Sequence, residues 1–320
     1  MMPADTPSGL LILDKPRGPT SHDAVAHVRR VLRTRSVGHA GTLDPMATGV
    51  LLVMVGLCTR LSGYLTLDRK CYEARLQLGQ TTDTCDATGR VVASTEVPQE
   101  LREALGAAAR GQPAQGEGPD LLSRALGAER ERTLQVPPAH AAIKQQGVAA
   151  YKRARRGEQV TLPPREVRVY ELRISGASAE HGTLDVVLDV SKGYYVRAWA
   201  RDMGEALGVG AHLSALRRTS SGPYRIEDAL GWDDGEQAWR RSLIPLEAVA
   251  KTLLGEAVLS AAGVRRALQG QRLSDEDFEH APGAGTTAWF AEDGSLVAIG
   301  DRSRGGPTVV RAFPRSLEVC

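Results

Sequence analysis

The chain has 320 residues, 42% of them apolar and 4% aromatic, with a formal net charge of +2. A core of ordinary size is within reach, so wholesale disorder is excluded, and the length suits a main domain with a smaller companion. The near-zero total argues against a uniformly basic nucleic-acid binder, and four cysteines without CxxC spacing argue against structural zinc or a disulfide framework.

Residues 9–14 form a short apolar run that reads as a strand. Thr20-Ser21-His22-Asp23 opens a helix with a capping-box-like start, and Ala24, Val25, Val28, Val31 and Leu32 follow at helical spacing. The octet 38–45 is too rich in glycine for regular structure, and Pro45 forces Asp44 toward extended geometry, so the octet reads as a loop. Residues 50–55 follow as a buried segment. Residues 72–78 alternate, and with the turn Asp86-Ala87-Thr88-Gly89 and the run Arg90-Val91-Val92 they suggest a hairpin. Residues 105–133 are rich in Gly, Ala, Pro and Gln, and part of them reads as a flexible surface insertion.

Residues 166–172 and 184–190 are two further alternating strands. Ser191-Lys192-Gly193-Tyr194-Tyr195 then turns into a helix with Val196, Trp199, Ala200, Met203 and Leu207 on one face, stopped by Gly208. Beyond about Arg240 the character changes: all three Phe lie there, and short strands at 288–291, 296–299 and 308–311 suggest a small β-rich second domain. The expected fold class is α+β, a mixed, largely antiparallel sheet with flanking helices, divided into residues 1–240 and 241–320. The N-terminus has no signal-peptide pattern, the longest apolar run (50–58) is too short to span a bilayer, and the cysteine usage points to the cytoplasm.

Charge is unevenly spread. Residues 14–39 sum to +4, 140–170 to +5 and 191–225 to +4, whereas 226–300 sum to −7. Local fields, not the total, attract polyanions. The three basic runs surround the most motif-like segments of the chain.

A carboxylate on a rigid, Gly-flanked loop is well placed as nucleophile or base, which singles out Asp44, although an Asp-Pro turn with a loop histidine is the ordinary reading of such an octet. At the junction 193–197 an Arg can pair with a buried carboxylate and a Tyr can stack on a base. Lys15-Pro16-Arg17-Gly18 looks like a phosphate-binding turn but lacks the Walker spacing. No nucleotide-cofactor or metal motif is evident, so no cofactor and no metal are expected.

Four motifs occur in order: Lys15-Pro16-Arg17-Gly18-Pro19-Thr20-Ser21, residues 38–51 around Gly38-His39-Ala40-Gly41-Thr42-Leu43-Asp44-Pro45, residues 78–89 around Gly79-Gln80-Thr81-Thr82-Asp83, and residues 191–197. Together they closely resemble the bacterial TruB family of tRNA pseudouridine 55 synthases over about residues 9–230. Residues 137–144 and 151–157 look like that family's RNA-gripping loop, placed at about 137–160, and the C-terminal part is weakly similar to its PUA domain.

The resemblance implies a pseudouridine synthase fold and an isomerase acting on the T-arm uridine of tRNA by base flipping. Asp44 matches the catalytic aspartate, Arg197 the arginine that pairs with it, and Tyr72 the tyrosine that stacks on the flipped base and assists loss of its C5 proton. Tyr195 matches the neighbouring pocket aromatic, Leu216 the apolar floor, and His39 the histidine that fills the vacated space. Lys15 and Pro16 would support the catalytic loop, while Lys144, Lys152, Arg153, Arg155 and Arg156 would grip RNA. A monomer that needs neither membrane nor metal is expected. The sequence departs from the family in having His140 where an aromatic is common, a longer connection at 105–133, and an acidic stretch after Ile226. The alternatives are a non-catalytic RNA-binding or tRNA-folding protein on the same scaffold, and a hydrolase using Asp44, which lacks an obvious second acid.

Overall fold

In the computed structural model, which describes residues 7–67, 69–112, 120–141, 143–145, 147–150, 153, 156–303 and 306–313, the first apolar run is strand β1 (Gly9–Lys15), followed by helix α1 (Ser21–Val31). Thr20 caps α1 reciprocally: its hydroxyl accepts from the Asp23 N–H, and the Asp23 carboxylate accepts from the Thr20 N–H at 2.8 Å. The capping box read from the sequence is present.

The octet expected to be loop begins as strand. Gly38, His39 and Ala40 belong to β2 (Val37–Ala40), which pairs antiparallel with β3 (Thr48–Val55) through His39–Val53 and Ala40–Leu52. The apolar run of β3 is buried on both faces, so its backbone groups need protein partners on both edges. One edge goes to β1, and the other is divided between β2 and a later strand. The true loop is therefore 41–47.

The expected hairpin also differs. Strand β4 (Arg69–Leu78) ends at Gly79, whose φ of +86° turns the chain off the sheet. The hairpin partners are β5 (Gln80–Thr82) and β6 (Val91–Ser94), and β4 pairs with distant strands instead. Helices α2 (Gln99–Ala109) and α3 (Leu121–Arg130) occupy much of the stretch read as a flexible insertion. Leu101 and Leu105, then Leu122 and Leu126, bury at helical spacing, and Asp120 caps α3 by accepting from the Ser123 N–H at 2.8 Å. The insertion thus gives way to helix at both ends, and 113–119 lie outside the described residues.

The chain continues through β7 (Val169–Ser178), β8 (Thr183–Ser191), α4 (Val196–Ala206), β9 (Ala211–Ser221), β10 (Tyr224–Arg225), α5 (Gly235–Arg241) and β11 (Ile244–Pro245). The main sheet runs β7-β8-β4-β9-β3-β1-β11, with β10 on β9 and β2 on β3. Among the described strands of this sheet only β9 and β3 pair parallel, through Arg217–Thr48 and Arg218–Gly49. After α6 (Leu246–Leu254) come β12 (Glu256–Leu259), α7 (Ala261–Leu268), β13 (Phe278–His280), β14 (Thr286–Phe290), β15 (Leu296–Asp301) and β16 (Thr308–Ala312). These strands form a second sheet in the order β13-β12-β14-β15-β16.

Alternation decides where each core sits. Leu11 and Leu13 of β1, with Leu51 and Val53 of β3, join Val28 of α1 and Trp199 of α4 in one apolar cluster. Leu10, Ile12, Leu52 and Met54 point the other way and pack in a second cluster with Phe290, Ile299 and Phe313 of the small sheet and its C-terminal edge. The two sheets therefore share a core. Among the described residues no helix is long and apolar enough to cross a membrane.

Candidate active site

The centre of the main sheet and the start of α4 converge on a cleft of about 270 Å³ lined by Asp44, Tyr72, Tyr195, Arg197, Leu216 and Arg218, among others. Asp44 comes from the 41–47 loop, Tyr72 from β4, Leu216 and Arg218 from β9, and Arg197 from the first turn of α4. Five of the residues singled out from sequence thus meet in one cavity.

Asp44 and Arg197 form a two-toothed pair. Arg197 Nε donates to Asp44 Oδ2 at 2.8 Å and Nη2 donates to Oδ1 at 2.9 Å. The fork of a guanidinium matches a carboxylate in this way and fixes its plane. The Arg197 side chain is 6% exposed and that of Asp44 34%, so the anion keeps an open side toward the cleft while its cation is buried behind it.

Arg197 is itself held from several directions. Its Nη1 donates to the Thr84 carbonyl at 3.2 Å and its Nη2 to the His140 carbonyl at 3.1 Å. Its Nε lies 3.7 Å from Asp86 Oδ2, and the other oxygen of Asp86 accepts from the Thr88 N–H at 2.9 Å. The 78–89 motif thereby acts as a second, buried carboxylate support. His140, the departure noted in the sequence, contributes its backbone to this arrangement.

The loop bearing Asp44 is braced from beneath. The Ser21 hydroxyl donates to the Leu43 carbonyl at 3.1 Å and accepts from the Leu43 N–H at 2.9 Å, and the Gly18 N–H donates to the Pro45 carbonyl at 2.8 Å. Lys15, fully buried, donates from Nζ to the carbonyls of Pro16 and Pro19, both at 2.8 Å. Burial pulls the Lys15 ammonium down to about 8 against the opposing pull of Asp44. Lys15 and Pro16 therefore underlie the loop and do not line the cleft.

Arg218, 1% exposed, also borders the cleft. Its Nε donates to the Val50 carbonyl and its Nη2 to the Gly41 carbonyl, each at 2.7 Å. Gly41 is left-handed (φ +72°), and a Cβ there would stand 3.3 Å from Arg218 Nη1, so both conformation and space call for glycine. The signal was present: adjacent arginines in an alternating strand must face opposite ways, so one of Arg217 and Arg218 had to point inward. Asp86 and Ser21 carry no comparable local signal of their roles.

His39 is not among the residues lining the cleft. It stands at the end of β2 with its ring edge-on to His22 at 5.3 Å between centroids, and its buried Nδ1 lacks a hydrogen-bond partner. Burial, with His22 and Arg218 nearby, lowers its tendency to protonate. Tyr195 packs on a small apolar cluster of Ala141, Ala150 and Leu162, which anchors the 137–160 segment to the site. In that segment Arg153 meets Glu158 at 2.6 Å, the Arg156 N–H donates to the Arg153 carbonyl at 2.9 Å, and Lys144 starts a short strand pair with residues 148–149. Lys152 and Arg155 lie outside the described residues. Among the described residues no cluster of three or more His, Cys, Asp or Glu is placed to hold a metal ion.

A clamped carboxylate facing a cleft with three tyrosines (Tyr72, Tyr194 and Tyr195) and an apolar floor suits attack on a flat, uncharged nucleotide ring or the sugar beside it. Comparison with known proteins gives the family. The model of the TruB family pseudouridylate synthase N-terminal domain matches residues 29–196, and that of the tRNA pseudouridylate synthase B C-terminal domain matches residues 197–251. A protein named tRNA pseudouridine synthase B from Thermobifida fusca is 43% identical over 314 residues, covering 96% of this chain and 99% of that one. Its namesake from Streptomyces avermitilis is 42% identical, covering 96% and 98%. Among solved structures, the archaeal box H/ACA sRNP Nop10-Cbf5 complex aligns with a TM-score of 0.64 and 25% identity, covering 96% of this chain and 87% of the matched one. A Cbf5-Nop10-Gar1 complex aligns at 0.65 with 24% identity, a likeness of fold.

Proposed function

The chain belongs to the TruB family of pseudouridylate synthases, and from that premise we propose how its cleft works. It is a tRNA pseudouridine synthase, forming pseudouridine from uridine in tRNA. Our reading goes further: the target is uridine 55 in the T-arm loop, and Asp44 is the nucleophile. The observation that carries it is the two-toothed Arg197–Asp44 pair, with the open side of the carboxylate turned toward Tyr72, Tyr195 and Leu216.

The target base leaves its stack and enters the cleft, at an unstacking cost of a few kcal/mol. Phosphate contacts from the basic runs, including Lys144, Lys152, Arg153, Arg155 and Arg156, offset that cost. Tyr72 and Tyr195 flank the base, Leu216 floors it, and His39 fills the space it vacates. Asp44 then forms a covalent bond to the nucleotide and the N1–C1′ bond breaks. The uracil turns, C5 bonds to C1′, the C5 proton leaves with help from Tyr72, N1 takes up a proton, and Asp44 is released. Atoms balance without redox change or group donor. The non-catalytic alternative has no use for a carboxylate clamped beside an open cleft. We place the enzyme in the cytoplasm as a monomer, with residues 241–320 as a small PUA-like second domain.

Tritium release from tRNA carrying [5-³H]uridine, with the modified position mapped by primer extension, tests this reading. Wild-type protein is expected to release tritium and mark the T-arm uridine alone. Asp44→Ala is expected to lose at least about 10³-fold in rate while still binding tRNA. Equal release by Asp44→Ala would remove it as nucleophile, and a mark elsewhere would overturn the target.

A further inference from the structure

The segment 129–136, which runs from the last turn of α3 into the residues after it, grips the start of α4 at four residue pairs. Glu129, 1% exposed, accepts from the Tyr194 hydroxyl at 2.7 Å and from Arg132 Nε at 2.8 Å. Arg132 Nη1 in turn lies 3.2 Å from Asp202. Gln135, equally buried, accepts from the Tyr195 N–H at 2.8 Å and donates to the Tyr195 carbonyl at 3.2 Å. Arg201 Nη2 donates to the Val136 carbonyl at 2.9 Å.

These contacts bracket the reacting pair. Tyr195 is the residue that leads into α4, which has no side-chain cap of its own, and Arg197 is two residues further on. Both backbone groups of Tyr195 are held by one amide, so the entry angle of the helix is set from outside it. Burying Glu129 is expensive: burial raises its carboxyl above the usual range, and the apolar face of α3 already packs through Leu122 and Leu126. A carboxylate retained there against its desolvation cost points to geometry. The two-toothed Arg197–Asp44 pair is the element most sensitive to that geometry, because a tilt of the first turn of α4 rotates the guanidinium out of the carboxylate plane.

We propose that residues 129–136 form a positioning clasp, with Glu129 and Gln135 as positioning residues that set how Tyr195 and Arg197 face Asp44. The proposal rests on the reading of Asp44 and Arg197 given above. It assigns to the end of α3 and the stretch after it a part in catalysis exerted through α4, with Glu129 and Gln135 themselves away from the substrate.

The test uses the full chain and a complete tRNA transcript, measuring the single-turnover rate of pseudouridine formation beside the equilibrium Kd for tRNA. Tyr194→Phe keeps the ring and removes only the hydroxyl that Glu129 accepts from. It is expected to slow the single turnover about tenfold while Kd stays within about twofold. Glu129→Gln, whose amide oxygen still accepts from Tyr194, is expected to retain most of the rate. Glu129→Ala combined with Tyr194→Phe is expected to be no slower than Glu129→Ala alone, because the Tyr194–Glu129 hydrogen bond is already lost in that single variant. A full rate in Tyr194→Phe alongside an inactive Asp44→Asn would overturn the clasp alone, as would a loss of tRNA affinity in step with the rate. A full rate in Asp44→Asn would overturn the site reading and leave the clasp nothing to position.

Discussion

Around Asp44 the large sheet buries charge, whereas the five-stranded sheet within residues 256–312 buries rings. Lys15, Asp86, Glu129, Arg197 and Arg218 are all buried about the cleft. In the small sheet Trp289 and Phe290 are buried, with Phe278 edge-on to Trp289 at 5.1 Å between centroids. Among the described residues there, the buried charged side chain is Asp277, which caps its own turn and meets Arg266 at 3.3 Å. Desolvated charge weakens a fold unless it is fully partnered, so its concentration in one region marks where orientation outweighs stability.

That contrast is open to attack, most directly at Arg197. Arg197→Lys keeps the charge but cannot span both oxygens of Asp44, so the single-turnover rate should fall on the order of 10²-fold. The midpoint of denaturant unfolding should move far less in proportion. A variant that keeps its rate would show that charge alone, without orientation, suffices.

Lys15 sharpens the comparison through pH. Its folded value of about 8 lies below the ordinary 10.5, so the folded state sheds this proton before the unfolded chain does. The stability it contributes is therefore present above pH 10.5 and is lost as pH falls through 8. Wild type should gain on Lys15→Met by on the order of 2 kcal/mol between pH 7 and pH 9.5, read from denaturant unfolding at both values. A difference that does not change with pH would contradict the burial of its charge. The smallest effect on chemistry is expected from Gly300→Ala. A Cβ there would stand 1.8 Å from the Trp289 ring. Thermal unfolding should report about 1–3 kcal/mol of destabilisation from overpacking, with the rate at saturating tRNA within about twofold. A tenfold loss of rate would mean that the small sheet shapes the cleft.

What could be read from the sequence was local. The Thr20–Asp23 capping box, the apolar β3 and the helix stopped by Gly208 each depend on neighbours a few residues away, and each stands where the pattern put it. Asp44 could be nominated because glycine and Pro45 define its loop locally. Its partner Arg197 is 153 residues distant; an arginine at 193–197 could be named locally as a partner for some buried carboxylate, but its pairing with Asp44 came from the resemblance. The partners of β4 escaped notice because alternation names a strand without naming its neighbours, and a single left-handed Gly79 diverts the chain. Helix α3 was hidden by the Gly- and Pro-rich run at 111–119 just before it, which masked the helix-favouring Leu and Ala of 121–130. Glu129 gave no signal at all, because nothing local distinguishes a buried glutamate from a solvated one.

The cluster shared by the two sheets also bears on how the chain comes into being. Leu10 and Ile12 emerge from the ribosome long before Phe290, Ile299 and Phe313, against which their face of the sheet is closed. At typical elongation rates the interval is roughly a quarter of a minute to a minute. Throughout it the nascent chain carries an incompletely covered apolar face on β1 and β3. Chaperone demand should therefore fall on this side of the protein, away from the cleft, and should end only when β16 is in place.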